Sequence, residues 1–357
     1  MANMNIGTPR FYTDQVNYYL NKGTASTEFT LDTDVGLAAL TGSADELFDM
    51  NPLNQVTFDT GSNTGAHVLV NLDMQAERPK SFIAVLNHNL NRAQGKMRFF
   101  AGDAIGDVDA LDGADNDVDW SGVTTTEAVN ADSIITGGGN DSVVVEPAAD
   151  GSTVFTFTET LRRHWGIQFE GATHTNGATN ATDEVWSSTD LRIGCILIGE
   201  MYEMPHSPDM QVVRQVIMGG NDIVESYSGR RFSNMRWYGR QADSSTYSRS
   251  PFGTTYYAHA LHSGRLRYDL DFSYLASTDV MPDEYGTLDG DDDNVISDIW
   301  ENTLGSHIPF IFSIDKTSLG ADAESEHLLA RFSQNSLKMS QVANQVWNLS
   351  MSIEEEF

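Results

Sequence analysis

The chain has a single cysteine, Cys195, so no internal disulfide can form, and its place in the apolar run Ile193–Ile198 predicts a buried thiol that behaves as a small hydrophobe. A lone thiol fits assembly in a reducing cytoplasm. Lysine is scarce too, with five (Lys22, Lys80, Lys96, Lys316, Lys338) beside 16 arginines. Those 21 basic residues face 51 acidic ones, and the net charge of −30 repels phosphate backbones and anionic headgroups, which argues against direct nucleic-acid binding. No apolar run reaches the about 18 residues of a membrane span, and residues 1–10 lack a basic segment followed by an apolar one. Membrane insertion and export by signal peptide are therefore not expected. Also missing are a Gly-x-Ser-x-Gly elbow, a His-Glu-x-x-His pair, a phosphate-cradling glycine loop and Cys/His metal spacing, so no enzyme chemistry and no organic cofactor is singled out. Among so many carboxylates a glycosidase-type pair stays open.

What is present is the composition of a folded protein, 40% hydrophobic and 10% aromatic, so the acidity is not a sign of disorder. Plentiful Asp with little Lys reads in two ways that the residues leave open: hydration in high salt, or an outer surface that keeps particles apart. At 357 residues the chain exceeds the about 250 to 300 at which one core stops growing, and one internal boundary is expected. Short β-rich runs at 56–59, 67–72, 81–86, 97–100, 143–145 and 153–158, punctuated by Gly, Asn and Asp, have the spacing of a sandwich. Three short segments read as helical: 14–20, 43–50 with Ser43 as N-cap and Glu46 at the capping-box position, and 295–303. The Asp-, Gly- and Thr-rich stretch 103–141 and the Thr-, Asn- and Ala-rich stretch 171–183 read as polar loop insertions. Two prolines in Met204-Pro205-His206-Ser207-Pro208-Asp209 mark the boundary. Residues 1–49 then lead into a first domain, 50–205, and 206–357 form a second. In the second, 211–218, 265–274, 308–314 and 345–353 read as strands, and strict alternation puts Leu266, Tyr268, Leu270, Phe272 and Tyr274 on one face. The expected fold class is all-β, a β-sandwich followed by a second β-sandwich or barrel-like domain.

Three pieces of the first domain, Ser81–Leu90, Leu161–Phe169 and Asp190–Glu200, resemble in that order the discoidin-like, galactose-binding-type jelly roll found in many bacteriophage tail proteins. In that family the first piece is a core strand ending in a His-Asn-Leu turn. The second carries an Arg-aromatic-Trp cluster over the barrel end, and the third is an apolar strand with two glycines. The residues agree on physical grounds. Ile83 and Val85 alternate inward, Asn87 and Asn89 suit a turn held by side-chain hydrogen bonds, and Gly194 and Gly199 mark a close backbone approach. Downstream, 309–316, 329–332 and 347–357 resemble C-terminal β-domains of phage tail and baseplate components. The resemblance implies a jelly roll and a virion structural role without catalysis, in the tail tip, baseplate or fibre-attachment region, assembled in the host cytoplasm. Its partners would be copies of itself, in threes or sixes, and neighbouring tail proteins. A receptor- or carbohydrate-binding virion module that meets a host surface glycan is the alternative, and a head decoration protein a further one.

Four groups of residues are candidate sites, each with a plainer alternative. His88 reads as a glycan contact at a loop mouth or as a turn histidine bonded to backbone. Arg163 and Trp165, beside Arg162 and His164, read as a sugar platform or as the cluster that finishes the core. Asp289, Asp291 and Asp293 follow the spacing of a calcium loop, although Asn294 stands where glycine is needed and Trp300 where a bidentate Glu belongs. They read as a structural calcium site or as a solvated acidic loop capping a short helix. Arg230, Arg231, Phe232, Arg236, Trp237 and Tyr238 combine the residue types enriched at interface hot spots, suited to docking on an acidic patch of an adjacent subunit, or form a strand edge satisfied internally.

Overall fold

β-Branched and aromatic runs separated by Gly, Asn and Pro form strands throughout. The computed structural model describes residues 6–22, 29–33, 39–62, 67–108, 120, 123–131, 133–136, 142–171, 186–217, 223–233, 265–282, 293–317 and 326–356. The first module contains β1 (Arg10–Asp14), helix α1 (Gln15–Lys22), β2 (Phe29–Thr33), β3 (Ala39–Thr41), β4 (Val56–Phe58), β5 (Val68–His88) and the single turn α2 (Leu90–Ala93). It continues with β6 (Gly95–Gly102), β7 (Thr125–Val129), β8 (Ser133–Thr136), β9 (Val143–Glu146), β10 (Gly151–Gly171), β11 (Leu191–Ile193) and β12 (Cys195–Glu203). The second contains β13 (Val213–Ile217), β14 (Ile223–Glu225), β15 (Arg231–Ser233), β16 (Arg265–Ala276), the turn α3 (Ser277–Val280) and a π-helical turn, Val295–Glu301. Its last strands are β17 (Phe310–Ser313), β18 (His327–Phe332), β19 (Lys338–Ala343) and β20 (Val346–Glu355). No helix among the described residues is long and apolar enough to cross a membrane.

The fold is all-β, a jelly-roll sandwich followed by a second β-module. Hydrogen bonding runs in one path, β13-β16-β20-β18-β17-β1-β12-β5-β10-β6-β9-β8, while β11-β4-β3 makes a small separate sheet. The first core fills the space between them, with Ile83, Val85, Phe99, Trp165, Ile167 and Phe169 of the large sheet packed with Val56, Phe58, Leu191 and Ile193 of the small one. A second core gathers Leu266, Tyr268, Leu270, Phe272, Phe310, Phe332 and Ile353.

β1 joins the two modules. It pairs antiparallel with β12 on one side, Arg10 opposite Glu203 and Asp14 opposite Gly199, and with β17 on the other, Tyr12 opposite Ile311. Residues 1–49 are therefore more than a lead-in. The core does not stop at the boundary expected near 205, because Phe11, Tyr202 and Met204 belong to the second core. A third cluster packs Tyr12, Phe82, Ala84, Leu86, Cys195 and Leu197 against Ile308, Ile311 and Leu329. The Phe82–Leu86 part of β5 and the Cys195–Ile198 part of β12 are thus covered on both faces, which is why each reads as a continuous apolar run.

Several expectations need correction. The runs 67–72 and 81–86 are one strand, β5, and β10 likewise continues beyond 153–158 to Gly171, with register shifts between Thr156 and Thr160 and between Arg162 and His164. Polar residues at the bends hid the continuity. Much of 103–141 lies outside the described residues, yet the rest is not only loop: it supplies β7, β8 and the buried Trp120, whose ring meets Phe157 and Trp165 edge-on. In β16, Tyr274 does not share the face of Leu266 to Phe272. A bulge at its φ of 65° shifts the register, so Leu275 turns inward and Tyr274 is 79% exposed. Of the predicted helices, 14–20 forms as α1, 43–50 as a 3-10 turn in which Ser43 N–H donates to the Glu46 carboxylate at 3.2 Å, and 295–303 as the π-helical turn.

Candidate functional site

The jelly-roll candidates are structural in their contacts. His88 is buried; its Nε2 lies 2.8 Å from the Thr153 hydroxyl, which itself donates to Asn130 O, and its Nδ1 accepts from Leu90 N–H at 3.3 Å. That pattern places the proton on Nε2, and burial pushes the ring down to about 3, so it is neutral and has no nitrogen left for a sugar. Asn87 donates to Pro52 O at 2.6 Å, and Asn89 both donates to Asp190 O and accepts from Arg192 N–H, the turn-holding roles expected of them. Trp165 is fully buried and donates from Nε1 to Arg162 O at 3.2 Å, so its face packs in the core and is not a stacking platform. Arg163 is half-exposed and engages Asp73 through both Nε and Nη2 at 2.7 Å. Cys195 is buried, and burial pushes its thiol well up.

A cluster of charges that the sequence did not single out lies where the modules meet. Asp14, at the start of α1, is buried; its carboxylate accepts Asn17 N–H at 2.8 Å and Ile198 N–H at 3.1 Å, yet burial pushes it up to about 6. Lys80 on β5 is fully buried and donates to Gln15 Oε1 and to the carbonyls of Arg78 and Pro79, while Gln15 donates to Glu200 Oε2 at 3.3 Å. Burial drives the Lys80 amine down to about 7 against the pull of Glu200. Asp298, in the π-helical turn, accepts Asn294 N–H at 2.8 Å; burial first, then Glu200 and Asp293, push it up to about 9, so it carries its proton at neutral pH. At the edge of this cluster Glu159 of β10, Glu200 of β12 and Asp293 bring one carboxylate oxygen each within 4.8 Å of one another. Asp293 is the described member of the predicted calcium set, and oxygens so spaced suit a divalent cation. Asp289 and Asp291 lie outside the described residues. Nearby, burial pushes Glu203 up, but Lys316 at 2.5 Å and Arg10 at 3.0 Å outweigh it and hold the carboxylate below its usual range.

The interface candidates fall on an exposed arm. β13 is an edge strand paired only with β16 among the described residues, and β14 and β15 form a hairpin of their own, closed by Ser226 N–H on Arg230 O at 2.8 Å. Thirteen large apolar side chains are exposed among the described residues, and seven of them are Met210, Val213, Val216, Ile223, Val224, Tyr227 and Phe232. Arg230 lies over the Phe232 ring at 5.1 Å, and Arg231 meets Glu225 at 3.3 Å. These side chains are exposed, and the Arg231–Glu225 pair spans the two strands of the hairpin. Arg236, Trp237 and Tyr238 lie outside the described residues.

No protein-family model and no curated protein matches the chain. Among solved structures it is similar to chitosan-binding module 1 from a chitosanase/glucanase of Paenibacillus sp. IK-5, at 10% identity and a TM-score of 0.26, over 47% of this chain and 92% of that one. A selenomethionine-labelled mutant of the same module gives 10% identity and a TM-score of 0.27, over 52% and 98%. A pectin-binding carbohydrate-binding module gives 11% and 0.22, over 48% and 91%. Likeness at this level carries no argument about what the chain binds.

Proposed function

We propose that the chain is a non-catalytic structural protein of a tailed-virus particle, placed in the tail tip, baseplate or fibre-attachment region and acting by protein-protein assembly. The observation that carries the assembly role is the arm, on which over half of the exposed large apolar side chains crowd into residues 210–232. Apolar groups so gathered are a mark of a contact surface. The tail setting rests on the resemblance of 81–90, 161–169 and 190–200 to phage-tail jelly rolls. Cryo-electron microscopy of particles from the source tests the reading. The expected result is this chain traced in a symmetric ring at the tail end, with the arm at a subunit contact; a chain found free in solution and never in particles would sink it.

A second reading, a glycan-binding virion module, draws on Tyr274, an exposed ring held out by a bulge at positive φ. The exposed aromatics among the described residues are Tyr227, Phe232 and Tyr274, all in the second module, so this site would lie away from the jelly roll. A glycan array separates the readings: signal that disappears in Tyr274→Ala favours the module, and no signal above background removes it.

A further inference from the structure

We infer that the partner of the arm is a second copy of this chain, and that the arm of one copy docks on the acidic body of the next. The inference rests on the assembly reading above and specifies its partner. A two-stranded hairpin is at best marginally stable in water, and β14–β15 has no described sheet or core behind it. Val224 and Phe232, opposite one another in the hairpin, are both more than half exposed, so no described residue supplies the hairpin with apolar cover. β13, which precedes it in the chain, has one edge unpaired among the described residues, with neither proline nor lysine, and Val216 on it is exposed.

Charge selects the partner. The described arm, residues 210–217 and 223–233, holds three of the 21 basic residues, Arg214, Arg230 and Arg231, and one of the 51 acidic ones, Glu225. It is therefore +2 in a chain of −30, and the remainder is −32. An arm of this sign meets repulsion from the arm of another copy and attraction from its body. The contact is accordingly heterologous, head to tail, and closes into a ring when the rotation between copies permits.

Sedimentation velocity of the full chain, in low and in half-molar salt, tests this together with two double variants, Val224→Asp with Phe232→Asp and Arg230→Glu with Arg231→Glu. All four side chains are exposed, so both variants keep the parent's melting temperature. The parent is expected to self-associate. The apolar pair should lower its association constant at least about tenfold at either salt, and the arginine pair should do so chiefly in low salt, where charge is unscreened. Cross-links should run from the arm to the acidic body. A parent that stays monomeric at every concentration, variants that associate as tightly as the parent, or cross-links running from arm to arm would each overturn the inference. A monomer still recovered in purified particles would overturn it and leave the assembly reading standing; arm-dependent association by a chain absent from particles would do the reverse.

Discussion

Asp298 departs far from the ordinary range of its side chain, and the sign of its effect on stability follows. With the folded carboxyl raised from 3.8 to about 9, its stabilising contribution is complete below the ordinary value and is lost as pH climbs toward the raised one. Lys80 has the opposite sense: lowered from 10.5 to about 7, it adds stability only as pH climbs toward its ordinary value and loses it as pH falls through 7. In the parent the two offset each other between about 7 and about 9. Asp298→Asn holds the site in a neutral form that still accepts from Asn294. Denaturant melts should put the variant near parity with the parent at about pH 4 and ahead by more than the about 1.4 kcal/mol of one pKa unit near pH 9. A constant difference across that range would show that Asp298 is not the titrating group. Cys195, Asn87, Asn89 and both strand glycines behave as their local sequence predicts, because each role is set by near neighbours. Lys80, Glu200 and Asp298 were not legible, since their burial depends on α1, β5, β12 and the π-helical turn arriving from distant parts of the chain.

At the scale of elements, Gly199 shows how a small residue lets a strand dock. It lies on β12 opposite Asp14 of β1, and a Cβ there would collide with the Thr13 carbonyl oxygen. Gly199→Ala should therefore loosen β1 and cost about 1 to 3 kcal/mol, the range for overpacking a tight contact. Gly106→Ala, where an added Cβ meets nothing within 4 Å, is the control and should melt with the parent. Equal melts for both variants would remove the argument for a close approach at β1. The sequence showed most strands but misjudged where they end. β5 runs through Arg78-Pro79-Lys80, a triplet that reads as a break, while β16 bulges at Tyr274 although its alternation reads as unbroken. Periodicity reports which residues face inward only while the register holds, and bulges interrupt it without a composition of their own.

For the whole molecule, a charge of −30 on 357 residues opposes compaction. The ion pairs that offset it, Arg10 and Lys316 on Glu203 and Lys96 and Arg98 on the buried Glu170, are partly or wholly shielded from solvent and lose less to screening than the general repulsion does. Melting temperature should accordingly rise by a few degrees from low to half-molar salt; a fall would mean that the pairs outweigh the repulsion. The all-β class was legible at this scale, but the continuity of the core across residue 205 was not, because no local signal tells that one strand serves two modules. That strand also sets an order of events during synthesis. β1 leaves the ribosome before its neighbours, yet β12 is complete only at residue 203 and β17 only at residue 313. Phe11 and Tyr12 must wait until β17 has been made for their final cover, and closing those long loops makes an early-made strand one of the late ones to be seated.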